Sequence, residues 1–177
     1  GGSNNADNSG VFSYCRIEFA GVALSSTANS ELNGLTLGGV GSGTQIDHVQ
    51  VSFGGDDAFE WFGGAVDAKY LIAFRGLDDD FDTDFGYAGR VQFGISVRDK
   101  DISDAAGDSN GFESDNFNAG LGRTPITKAV FSNMTMIGPK RNGTVGLPVG
   151  EKFERGIFTR RNTGISIHNS IFCDWEK

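Results

Sequence analysis

Apolar and polar residues alternate with a period of two over short stretches along most of this chain, and each stretch is closed by glycine or another turn former. Cys15, Ile17 and Phe19 alternate with polar residues before Ala20-Gly21, and Val49, Val51 and Phe53 repeat them before Gly54-Gly55. Ile72 and Phe74 precede Gly76, Ile95 and Val97 precede Arg98-Asp99, Met134 and Met136 precede Gly138, and Phe172 closes the series. Between these stretches lies a second apolar column, Phe59, Phe81, Phe112 and Ile157. In the central stretch from Asp47 to Asp101 the step from one repeat to the next is about 21 to 23 residues, the length of one solenoid coil. Later steps are longer, and Gly/Ser/Asn/Pro-rich insertions at 102–110, 118–125 and 139–154 account for them.

Strands this short, spaced too closely for crossover helices, cannot build a doubly wound sheet. Stacking each coil on the next buries what no single coil could, which predicts a right-handed parallel β-helix of about six coils spanning residues 1–177 as one domain. In this register Phe53, Phe74 and Val97 are expected to share one interior column. An antiparallel β-sandwich is the competing architecture, but it requires no shared register between alternate strands. The last strand pattern ends at Cys173 without a polar cap, which predicts that flanking coils of a longer β-helix continue the stack. Asn133 and Asn169 occupy matching positions and are expected to bond as a ladder.

Composition narrows the function classes. Fifteen Lys+Arg against 23 Asp+Glu give a net charge of −8, which disfavours nucleic acid and anionic membranes and suits metal cations or neutral glycans. No apolar run approaches the roughly 20 residues of a membrane span. Cys15 and Cys173 fall in the first and last coils, too far apart for a disulfide.

The candidate chemistry is acidic. Glu60, Asp82 and Glu113 each follow an inward phenylalanine, and Asp84 and Asp115 stand two residues further on. Strand alternation places all five on one outer patch, with neighbours about 5 Å apart. Such like charges repel by roughly 1 kcal/mol in water and more where shielded. Three offsets are open: an ion-pair ladder with Arg160, Arg75 or Arg98, bound calcium, or raised carboxyl pKa values serving acid/base catalysis. The run Asp78-Asp79-Asp80-Phe81-Asp82-Thr83-Asp84 makes Asp79, Asp80, Asp82 and Asp84 candidate calcium ligands, although it lacks the glycine and glutamate of an EF-hand loop. Asp56-Asp57, in the matching turn one coil earlier, either adds oxygens or caps that turn. Trp61 and Tyr87 are candidates for stacking on sugar or for packing beneath a loop, and His48 reads as a hydrogen-bonded residue of a strand.

The segments Phe59-Glu60-Trp61-Phe62-Gly63-Gly64, Arg75 to Gly86, and Gly111-Phe112-Glu113-Ser114-Asp115-Asn116 resemble those of secreted β-helical surface proteins of Bacteroidota, often cargo of type IX secretion, within the pectin-lyase-like superfold. The resemblance implies a secreted or cell-surface location and carries no established activity. Gly55-Asp56-Asp57 and the Arg98-x-Lys100 spacing are similar to fragments of polysaccharide hydrolases, whose Gly-His-Gly element is missing. The superfold's lyases pair calcium-binding aspartates with a basic residue, a part open here to Arg75, Arg98 or Lys69. The expected function is therefore binding or display at a cell surface, with a polysaccharide or other glycan as partner. A calcium-dependent lyase or a glycoside hydrolase is the alternative.

Overall fold

The structure is a computed structural model that describes residues 3–26, 30–104, 109–117, 122–140 and 152–176. Much of the three predicted insertions, at 105–108, 118–121 and 141–151, lies outside the described residues. Strands β1 (Val11–Glu18), β3 (Gln45–Ser52), β5 (Ala68–Phe74), β7 (Arg90–Val97), β9 (Val130–Ile137), β11 (Ser166–His168) and β12 (Ile171–Cys173) form one sheet, the last two both pairing with β9. Strands β2 (Leu35–Gly38), β4 (Phe59–Phe62), β6 (Phe81–Asp84), β8 (Phe112–Ser114) and β10 (Ile157–Thr159) form a second. Every strand pairing is parallel, and consecutive members of a sheet belong to consecutive turns of the chain. The chain is a right-handed parallel β-helix. Among the described residues there is no helix, and so none long and apolar enough to cross a membrane.

The short-strand column has the expected register: Phe59 pairs with Phe81, Phe81 with Phe112, and Phe112 with Ile157. The first three are fully buried, with rings stacked at 5.4 and 5.2 Å. Asn169 donates its side-chain amide to Asn133 as predicted, and Cys15 and Cys173 are free.

The long-strand sheet corrects the expected interior column. Val51 pairs with Ala73, Ala73 with Ser96, and Ser96 with Met136, and these residues line the inside. Phe74 pairs with Ser52 and Val97, so Phe53 lies one residue out of step with both, and all three are half-buried on the outer side. Phe53 leaves the alternation of Val49 and Val51 because it is itself left-handed, with φ 55°, as Phe19 and Arg75 are at the matching strand ends, and a second left-handed position lies in mid-strand. Tyr14, His48, Tyr70, Phe93, Asn133 and Asn169 have φ between 47° and 63°. Each therefore breaks strict alternation, and two successive side chains face out, as Asp47 and His48 do between buried Ile46 and Val49. Bulky residues disfavour this conformation, and mutual stacking offsets the cost: Tyr14 on His48 at 4.4 Å, His48 on Tyr70 at 4.5 Å, and Tyr70 on Phe93 at 5.0 Å. At Gly94 a Cβ would come within 2.1 Å of the Met134 methyl, so the thioether side chain fills the space that glycine leaves.

Candidate cation site

The outer face of the short-strand sheet is built by alternation. Phe59 and Trp61 point in from β4, so Glu60 faces out, and pairing sets it beside Asp82 on β6 and Asp82 beside Glu113 on β8. The turns entering these strands form a second row. Two residues before each inward phenylalanine stand Asp57, Asp79 and Asn110, and their side chains link one coil to the next. Asp57 Oδ1 accepts the Asp79 N–H at 2.9 Å, Asp79 Oδ1 accepts that of Asn110 at 2.6 Å, and Asn110 Oδ1 accepts that of Arg155 at 3.2 Å. Each turn is thus held in register by the turn before it. This row was missed in the sequence as a unit, although its spacing from the phenylalanines is constant.

The two rows converge. One oxygen from each of Asp57, Glu60 and Asp82 lies within 4.8 Å of the other two, and Asp79, Asp82 and Glu113 form a like group, so Asp82 belongs to both. Asp56, Asp57 and Asp78 form a further group at the edge.

Electrostatics penalise this arrangement unless it is compensated. Burial pushes the Glu60 carboxyl up to about 8 despite a hydrogen bond from the Asn33 amide. Burial also raises Glu113 to about 7, against the pull of Arg160, and Asp84 to about 6, where the charge of Asp115 adds to it. Asp57, Asp79 and Asp82 are raised well above the carboxylate range by burial first and by neighbouring carboxylates second. Compensation comes at the flanks. Arg160 donates to Glu113 and, at 3.0 Å, to Asp115, which Arg161 also meets at 2.5 Å. At the centre, Asp82 is 8% exposed and its Oδ1 has no hydrogen-bond partner among the described residues.

The structure brings Glu60, Asp82 and Glu113 together with Asp79, and sets Asp84 and Asp115 beside them. It takes Asp80, Arg98 and Arg75 elsewhere. Asp80 and Arg98 are fully buried under the turns, with Arg98 Nε 3.0 Å from Asp80 and Ser96 donating to the same carboxylate. The Arg98 guanidinium also donates to the carbonyls of Gly76, Asp78 and Asn110, so it ties together the turns that carry the second row. A fully buried guanidinium engaged in this way is structural and cannot act as a base on an external polymer. Arg75 pairs with Asp99 at 3.2 Å over the ring of Phe74, on the other sheet. Trp61 and Tyr87 are buried and stacked on each other at 5.3 Å, so neither offers a face to sugar.

The family model described as a pectate-lyase-like β-helix domain matches residues 1–177, and the chain belongs to that family. No curated protein and no solved structure matches it.

Proposed function

We propose that this pectate-lyase-like β-helix domain is an extracellular binding or display module for glycan whose short-strand face is organised by a divalent cation. The observation that carries the cation is Asp82, which has a buried oxygen without a hydrogen-bond partner among the described residues and belongs to both carboxylate groups. A hard cation that tolerates irregular carboxylate geometry fits either group, Asp57 with Glu60 and Asp82 or Asp79 with Asp82 and Glu113, which favours calcium over magnesium. Binding rather than lyase chemistry is favoured because the arginines at the cluster are already engaged by carboxylates and Arg98 is inaccessible.

The test is thermal denaturation of chelator-treated protein with calcium added back. Calcium should raise the melting temperature by mass action, and Asp82→Asn should abolish the rise. A melting temperature indifferent to millimolar calcium refutes the cation.

A second reading, glycoside hydrolysis, draws support from one observation. Glu60, raised to about 8, stays protonated at neutral pH while Asp84, at about 6, is ionised, the division of labour an acid/base pair requires. Release of reducing ends from a glycan panel, lost in Glu60→Gln, would establish it.

A further inference from the structure

The long-strand sheet carries a feature independent of the acidic cluster. Because each left-handed residue sets two side chains outside and the next one turns in, the outer surface dips at the same point in every coil. The dips align into a groove of about 570 Å³. One wall is the stacked row of Tyr14, His48, Tyr70 and Phe93, and the other centres on Ile72 and Ile95. Its floor at Val49 and Leu71 is backbone, since those side chains are buried inside.

We propose that this groove binds an uncharged linear polysaccharide lying parallel to the helix axis. Shape is the first argument. The groove crosses coils stacked about 4.8 Å apart, so its volume is drawn out over roughly 20 Å. That leaves width for one extended chain and not for a helix about 10 Å across. Backbone bonding is the second. The main chain along the floor is already paired in parallel ladders, so an extended peptide could not add as a strand and would lose hydration from its amides without replacing it. A sugar chain keeps its hydroxyls at its rim, exposed to water or to Gln50 and Thr135, while its C–H surfaces rest on Ile72 and Ile95.

Charge is the third argument. In a chain of net charge −8 the groove is lined by no carboxylate among the described residues, and its arginine and its histidine are engaged outside it, Arg16 by Glu18 at 2.6 Å and His48 by Asp47 at 2.8 Å. A polyanion would meet long-range repulsion without a free cation to repay it. The rings spend their faces on one another, so they present edges, whose positive quadrupole suits the ring and hydroxyl oxygens of a sugar.

This inference names the ligand surface for the glycan-binding reading and uses no atom of the carboxylate cluster. Calorimetry of the intact domain with cellohexaose, mannohexaose, xylohexaose and hexagalacturonate tests it. At least one neutral hexasaccharide should bind, Ile95→Asn and Tyr70→Ala should each weaken it at least tenfold, and Lys100→Ala, exposed and outside the groove, should leave it unchanged. Both groove positions are more than 40% exposed, so these variants should fold, which circular dichroism checks. Binding of no neutral probe, tighter binding of hexagalacturonate than of every neutral one, or indifference to Ile95→Asn overturns the proposal. So does a concentration-dependent dimer that Ile95→Asn dissolves, which would assign the groove to a second copy. Loss of binding in Asp82→Asn alone would instead move the ligand to the carboxylate face.

Discussion

The two sheets carry the same device on opposite sides of the wall. In the short-strand sheet Phe59, Phe81 and Phe112 stack inside, and in the long-strand sheet Tyr14, His48, Tyr70 and Phe93 stack outside at comparable separations. Ring stacking therefore follows from coil spacing alone and says nothing about burial. What differs is the material behind each row. Behind the inner rings lies a row of carboxylates that need a counter-charge, and behind the outer rings lie Leu71, Ala73, Gly94 and Met134, which need nothing.

The largest difference should appear on truncation. Phe81→Ala opens a cavity between two stacked rings and should cost about 3–5 kcal/mol in denaturant unfolding. A loss below about 1 kcal/mol would equate the inner row with the outer. Arg98→Met should follow at roughly 3 kcal/mol near neutral pH, because it strands Asp80 in the interior. That cost should shrink in acid, since Asp80, held at about 6 by burial against the pull of Arg98, can then take a proton. Equal losses at pH 5 and pH 8, read from denaturation midpoints, would break this account.

Smaller is the pH response of the chelator-treated protein. The carboxyls of Asp84, Glu113 and Glu60 have folded values raised to about 6, 7 and 8, so folding favours their protonated forms. Their contribution is complete below the ordinary carboxylate range and is lost as pH rises through those values. The melting temperature should fall by several degrees between about pH 5 and pH 9, and calcium should flatten the slope. Least affected should be Tyr70→Ala, at about 1 kcal/mol or less, because the ring is 45% exposed and loses chiefly its stacking contacts.

The same contrast explains what could be read from the sequence. The short-strand register was legible because a large aromatic recurs inside and an acid follows it outside, as in Phe59-Glu60, Phe81-Asp82 and Phe112-Glu113. In the long strands the stretch Leu71-Ile72-Ala73-Phe74 is apolar on both faces, and the larger residues turn out to be the outer ones. The left-handed position is marked only where it holds His48, Asn133 or Asn169, of types enriched at positive φ, since tyrosine and phenylalanine are poor predictors of it. Arg98 was misplaced for a related reason. A buried guanidinium needs several acceptors, which here come from two separate turns, and only the fold brings them together.

The mid-strand kink also divides the molecule into a part that can vary and a part that cannot. The long intervals between the described strands, 19–34, 98–111, 115–129 and 138–156, fall where one sheet hands over to the other. None interrupts the passage through Tyr14, His48, Tyr70, Phe93 or Asn133. An added residue at the kink would shift the phase of one coil against its neighbours on both sides, whereas an added loop at a handover disturbs no pairing. Such a scaffold can acquire or discard decoration around two edges of its cross-section while the third keeps a constant gauge, like a rail.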